Sequence, residues 1–238
     1  MGMRVADPPL TQSDIDKATR LPRGPHALPQ DVVIAHQRER LLDAAAAAMA
    51  EEGYAELTVR ELIDRAGVSR RTFYQLFDDK IECVFAAHER AFERLSKVLV
   101  GACKSKGAWP DRVAAAIAGA LAFAAESPRE AYLVVIACHT ASEPKLAGRG
   151  HAAHEKLADL LRAGRRQAGV AHAPPDLTEQ AVVGAAMAVV GARLQEEEIS
   201  ALPLLAPELV QIVLTPYLGE DEAHRVAQSG AAYPAASS

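Results

Sequence analysis

Aromatic side chains are scarce in this chain: they make up 5% of 238 residues, with a single tryptophan, although half of all residues are hydrophobic. Few aromatics beside abundant alanine favour closely packed helices over sheets. Cysteine is nearly absent too. Cys83, Cys103 and Cys138 lie far apart and form no C-x-x-C pair, which excludes a disulfide framework and fits a reducing compartment, with all three as small buried hydrophobes. No stretch approaches the roughly 20 apolar residues a bilayer span requires. Asp7, Pro8 and Pro9 interrupt the N-terminus where a signal peptide would need an apolar run, so a soluble, cytoplasmic protein is expected. There is also no excess of positive charge. The net charge is −5, and residues 1–80 carry 11 basic against 13 acidic side chains, so any nucleic-acid binding must come from local placement.

What is present is concentrated in residues 58–80. Thr58 can cap a helix, with Glu61 three residues on to complete a capping box. Val59, Leu62, Ile63 and Ala66 give that helix one apolar face. Gly67 then supplies the left-handed turn, and Ser69 offers the next N-cap. On the second helix Phe73 and Phe77 face a core, which leaves Arg70, Arg71, Thr72, Tyr74 and Gln75 outward. Two helices this short need a preceding one, expected from about Gln37 to Glu52. The pattern is a helix-turn-helix whose second helix is shaped for a DNA major groove. Arg65, Arg70, Arg71 and Lys80 provide the local positive charge. Arg70, Arg71 and Thr72 are assigned to base edges and Thr58, Tyr74 and Lys80 to phosphates, with Ser69 and Gln75 completing the surface.

Phe73-Tyr74-Gln75-Leu76-Phe77-Asp78-Asp79-Lys80 after Ala66-Gly67-Val68-Ser69 resembles the TetR family of ligand-responsive transcriptional regulators. The resemblance is specific from about Arg38 to Phe85 and includes Glu51-Glu52-Gly53-Tyr54; beyond residue 90 it is architectural. Leu76 stands where that family often carries a phosphate-binding histidine, and its side chain offers no such contact. The resemblance implies an all-α homodimer, joined through the last two helices in a four-helix interface, on a palindromic operator. It also implies a repressor released by a small, largely apolar effector that shifts the long helix beginning at Asp79. No cofactor, metal or catalytic residue is implied. A helical ligand-binding protein or enzyme with an incidental helix-turn-helix is the rival reading.

Along the rest of the chain, residues 1 to about 30 read as a proline-rich mobile arm, with Arg20 and Arg23 placed to reach a minor groove. Residues 31–80 form the DNA-binding domain, 81–218 a helical effector and dimerisation domain, and 219–238 a disordered tail, with about nine helices in all. Ile81 to Ala102 repeat at helical spacing. Ser127-Pro128-Arg129-Glu130 carries a cap, a proline and a closing glutamate. Ser142 to Gly150 reads as a loop, and Asp176 or Thr178 as the next cap. Gly184, Ala188 and Gly191 form a small-residue stripe suited to close helix packing across a dimer, with internal packing as the alternative. Trp109, Phe123, Tyr132, His139, Met187 and Arg193 are the large or polar side chains available to line a pocket.

Three weaker patterns are set aside. Asp221-Glu222-Ala223-His224 spells a helicase box without any phosphate loop elsewhere in the chain. Gly148-x-Gly150-x-x-Ala153 imitates a dinucleotide fingerprint but does not follow a strand directly. His139, His151 and His154 lack the spacing of a convincing metal set.

Overall fold

The computed structural model describes residues 29–105, 107–141, 143–170 and 174–229. The arm with Arg20 and Arg23, and the tail beyond 229, lie outside the described residues. Contacts divide the chain between His36 and Gln37. Of the first unit only residues 29–36 are described, and they open the first helix. The second unit carries everything that follows.

Among the described residues the structure is entirely helical, in the order α1 Gln30–Glu51, a single turn Gly53–Glu56, α2 Val59–Ala66, α3 Arg70–Leu76, α4 Lys80–Cys103 and α5 Trp109–Glu126. Then come α6 Pro128–Tyr132, a π-helical stretch Leu133–Ala137, α7 Cys138–Thr140, α8 Pro144–Gln167 and α9 Thr178–Gln195. A 3-10 segment Ile199–Leu205 leads into α10 Ala206–Leu218 and α11 Glu220–Gln228. The all-α reading holds, and α1 begins seven residues before the expected Gln37.

The segment read as a loop to Gly150 is helical from Pro144. Glu143 caps it by accepting from the Lys145 amide, and proline takes the first helical position. Gly150 permits a close helix crossing. A Cβ there would sit 3.0 Å from the Cys138 carbonyl carbon and the His139 nitrogen, so the glycines of the mock fingerprint serve packing. The tail expected from 219 is also corrected. Glu220–Gln228 is helical, with Ala223 and Ala227 buried beside Val210 and Leu214. A small-residue composition disguised an amphipathic turn pattern whose apolar positions are alanines.

One further expectation needs correction. Ile199–Leu218 reaches the length and mean hydropathy of a membrane-crossing helix, at 20 residues and 1.5. Its break at Pro203 and Pro207 hid this in the sequence. Leu202, Leu209, Val210, Val213 and Leu214 are buried in the core, which accounts for much of that apolarity.

Among the described residues, four buried clusters form the interior of the second unit. The first joins α1 to α4, through Leu41, Leu42, Leu62, Phe73, Cys83 and Val84, with Leu133, Ala137, Cys138 and Leu146. The π-helical stretch is therefore built into the same core as the helix-turn-helix. Val134 and Ile136 of that stretch belong to a second cluster with Leu95, Phe123 and Leu194. Cys83 and Cys138 are fully buried, and desolvation pushes both thiols up to about 12, which keeps them protonated and inert.

Candidate nucleic-acid interface and ligand cavity

Each end of the helix-turn-helix is fixed by a local contact. The Thr58 hydroxyl accepts the Glu61 amide at 3.2 Å, and the Ser69 hydroxyl accepts the Thr72 amide at 3.0 Å. Gly67 takes the left-handed conformation (φ 59°, ψ 41°), and its neighbour Val68 donates back to Ile63. Alanine at 67 would meet two costs, the left-handed backbone and the Arg40 guanidinium 2.4 Å from its Cβ. Asp79 caps α4 by accepting the Glu82 amide at 2.9 Å. The capping box at Thr58 closes on one side only, because the Glu61 carboxylate accepts from Arg65 instead.

Charge on this surface is more selective than the sequence suggested. Arg65 is held by Glu51 and Glu52 at 2.5 Å and by Glu61 at 2.8 Å. Those partners raise its pKa, with the Glu51 hydrogen bond foremost, and leave no free cation there. Lys80 also turns inward. Its ammonium donates to the Leu57 carbonyl at 2.8 Å and the Tyr54 carbonyl at 3.2 Å, and lies 4.3 Å from the Tyr54 ring. This corrects its placement on the phosphate-facing side. Lys80 ties the start of α4 to the turn before α2.

Arg70, Arg71, Tyr74 and Gln75 are all exposed on α3, while Phe73 is sealed beneath them. Arg70 lies 5.7 Å from the Tyr74 ring centre. Arg71 and Gln75 have no protein partner among the described residues. Thr72 is half-buried, with its hydroxyl 2.8 Å from that of Ser69. Thr58 is exposed, and its hydroxyl proton remains available. Leu76 packs on the core. The row of unengaged donors on one face of a helix, backed by an apolar face, suits a groove lined with acceptors.

The second feature is a cavity of about 220 Å³ enclosed by α4, α5, the π-helical stretch, α8, α9 and α10. Trp109, Phe123 and Met187 line it; Tyr132, His139 and Arg193 do not. Tyr132 packs between two core clusters. Arg193 ends α9 in ion pairs with Glu196 at 2.8 Å and Glu198 at 3.2 Å, so its acidic partners are its own neighbours. His139 sits one layer away, 6.4 Å from the His154 ring. The lining is otherwise aliphatic, and the sequence reading missed it: Leu95, Leu99, Ile117, Leu161 and Val190 are indistinguishable from core in a sequence.

The histidines do not converge. His154 bonds the Gln180 carbonyl at 2.9 Å, and His151 faces Glu155 on the surface. Among the described residues no group of three or more His, Cys, Asp or Glu is arranged to hold a metal.

The Gly184, Ala188, Gly191 stripe is divided by the fold. A Cβ on Gly184 would meet the His154 ring at 3.2 Å, and one on Gly191 would meet Ile136 at 3.2 Å. Both glycines serve internal crossings. The exposed row of α9 is Ala181, Ala185, Ala188 and Ala192, and nearby in the chain Leu204 and Ile212 are 77% and 46% exposed.

Comparison with known proteins agrees with this architecture. Residues 41–87 match the family model of bacterial regulatory proteins of the tetR family. The chain is 28% identical over 134 residues to the HTH-type transcriptional activator FasR of Mycolicibacterium smegmatis, which covers 56% of this chain and 59% of that protein. It thus spans about three fifths of the length of the curated relative it matches. Among solved structures it is similar in fold to the fatty acid degradation regulator FadR from Bacillus halodurans (TM-score 0.66, 18% identity, 75% of this chain and 94% of that one). FadR from Bacillus subtilis in complex with stearoyl-CoA superimposes with a TM-score of 0.64 at 18% identity, over 76% and 98% of the two chains. SmeT, the repressor of the Stenotrophomonas maltophilia multidrug efflux pump SmeDEF, gives 0.59 at 22% identity, over 76% and 89%. The helix-turn-helix of residues 41–87 is thus that of the bacterial regulatory proteins of the tetR family, and the helical fold that carries it is shared with solved regulators.

Proposed function

We propose that the protein is a dimeric, non-catalytic DNA-binding regulator, released from a palindromic operator by a small apolar effector. The observation that carries this reading is the α3 surface, where Arg70, Arg71, Tyr74 and Gln75 stand exposed on a helix capped at its start and anchored by Phe73. Arg70 and Arg71 read base edges. Thr58 and Tyr74 hold phosphates, and Ser69 and Thr72 fix the helix entrance. One such helix covers one half-site, so a two-fold partner places the second about 34 Å away.

The dimer face is the exposed alanine row of α9 together with Leu204 and Ile212. Small side chains allow close helix approach, and covering two exposed aliphatics removes apolar surface from water. Effector control uses the cavity and the π-helical stretch. Val134 and Val135 line the cavity, while Leu133 and Ala137 are buried in the core shared with α1 to α4. A π-helical turn is a rare departure from α-helical geometry that is frequent at functional sites. An effector that fills the deep end displaces this stretch and the adjoining α4, and so changes the spacing of the two α3 helices. A differential affinity of about 2 to 3 kcal/mol between the two states is sufficient for a regulatory response. Two structural neighbours were solved with stearoyl-CoA and with triclosan, ligands that each carry a large apolar portion. Bound protein represses where the operator overlaps a promoter. A relative is named as a transcriptional activator, so activation from a differently placed operator is the alternative outcome.

The test is selection of bound sequences from random duplex DNA by the full chain, followed by gel retardation. A palindromic consensus is expected, with Arg70→Ala or Arg71→Ala costing about 1 to 3 kcal/mol and relaxing one position per half-site. Ala188→Arg should yield folded monomers with weakened operator binding. No enrichment of any sequence would remove the DNA-binding reading, and a dimeric Ala188→Arg variant would move the interface elsewhere.

A further inference from the structure

The cavity has two chemically different ends. At one end α4 finishes with Cys103, α5 begins with Trp109 and Arg112, and α8 ends with Gly164 and Gln167. At the other end lie Leu95, Phe123, Ala131, Val134 and Val135, all apolar. From Arg112 to Ala124 along α5 the lining runs about 18 Å, at the helical rise of about 1.5 Å per residue. The space is elongated, with its polar groups gathered at the end farther from the DNA-reading helices along α4.

Arg112 is the informative residue. It is half-buried, and its one contact is a long hydrogen bond of 3.4 Å to the Cys103 carbonyl. Among the described residues it has no carboxylate partner. The other half-buried guanidinium groups around this bundle are paired. Arg90 is held by Glu39, Asp43 and Glu130, and Arg162 and Arg165 by the buried Glu179. A partly desolvated cation with free donors at the mouth of a hydrocarbon cavity is incomplete without an anion. The planar guanidinium is well matched to a carboxylate or phosphate.

We infer that the effector is a linear alkyl or acyl chain ending in an anion, bound tail-first, with Arg112 holding the anionic head at the end formed by α4, α5 and α8. This rests on the reading of the cavity as the effector site and adds the head group and the orientation. The anion is the carboxylate of a free fatty acid or, beyond the pantetheine arm, a phosphate of an acyl thioester of coenzyme A; both present anionic oxygens to Arg112. The tail then lies against Leu95, Phe123 and the π-helical stretch, so chain length is sensed at the end that adjoins the helix-turn-helix core.

Trp109 is the only tryptophan in the chain and lines the head end, so its fluorescence reports binding directly. The full-length protein is titrated with palmitate, palmitoyl-CoA and hexadecanol, and the same titrations follow for Arg112→Gln and Arg112→Lys. The wild type is expected to bind at least one anionic ligand about tenfold or more tighter than the alcohol. Arg112→Gln should abolish that preference and leave hexadecanol binding unchanged, while Arg112→Lys restores part of it. Preference for palmitate identifies a carboxylate head, and preference for palmitoyl-CoA alone a phosphate. Equal binding of all three by the wild type overturns the inference. So does a loss in Arg112→Gln that is the same for acid and alcohol, the signature of a guanidinium that only caps α4. If none of the three binds, the inference of an anionic alkyl ligand is overturned, while the DNA-binding reading stands or falls on the selection of bound sequences alone.

Discussion

The helix-turn-helix and the cavity-bearing bundle are held together in opposite ways. Between residues 58 and 79 nearly every helix end is fixed by a contact within a few residues of it: side-chain caps at Thr58, Ser69 and Asp79, and the left-handed backbone of Gly67. In the bundle, Asp111 and Glu143 supply such bonds at the starts of α5 and α8, but α6, α9 and α10 start at Ser127, Leu177 and Leu205 with no side-chain capping bond. Burial sets those boundaries. Ser127 illustrates the difference: its hydroxyl accepts from Arg94, and Glu130 is drawn into ion pairs with Arg90 and Arg94 instead of closing a capping box. A DNA-reading helix must present the same donors in every copy, so local rules serve it well. The proposed effector cavity, by contrast, is built from packing, where two arrangements can lie close in energy.

The comparison can be broken most severely at the junction of the two regions. Phe73→Ala removes a fully buried ring and should cost about 3 to 5 kcal/mol in urea unfolding. Because its cluster extends to Leu133 and Leu146, a single unfolding transition for the whole second unit is expected. Two separate transitions would show that the regions are energetically independent.

His88, on α4 where it meets the bundle, offers a pH test. Desolvation first, then Arg149, His139 and Lys156, lowers its pKa from 6.5 to about 4, and its Nε2 is buried without a partner. The folded state therefore resists protonation that the unfolded state accepts. The stability it contributes is complete above about pH 6.5 and is lost as pH falls toward 4, by roughly 3 kcal/mol in all. Unfolding measured across that window should show the slope, and His88→Leu should flatten it. An unchanged slope would place the acid sensitivity elsewhere.

Gly191→Leu sharpens the distinction between internal and external faces of α9. With Ile136 only 3.2 Å from the added Cβ, overpacking should cost about 1 to 3 kcal/mol of stability. Its oligomeric state in sedimentation should match that of the wild type; a shift to a smaller species would return the stripe to the proposed dimer interface. The smallest effect belongs to the caps. Thr58→Ala and Ser69→Ala should each cost about 1 kcal/mol, detectable by denaturation, whereas Leu177→Ala at an uncapped helix start should change little. Comparable losses at all three would erase the contrast between the regions.

The sequence by itself determined the helix-turn-helix, because its information is local. A hydroxyl cap, a glycine with positive φ and two phenylalanines four residues apart act on neighbours within a single turn, and their chemistry is readable residue by residue. The same locality made α3 legible as a surface of Arg70, Arg71, Tyr74 and Gln75. Only the tertiary structure decided which charges remained free. Arg65 and Lys80 looked equivalent to Arg71 in the chain, yet the first meets Glu51 and Glu52 and the second meets two carbonyls more than 20 residues away. The same holds for the cavity. Its lining consists of leucines, valines and alanines that follow ordinary helical spacing, and nothing in that spacing distinguishes a side chain facing a void from one facing another side chain. Arg112 became informative only once folding had set it beside hydrocarbon with no acid in reach, since a charge acquires its cost from what surrounds it.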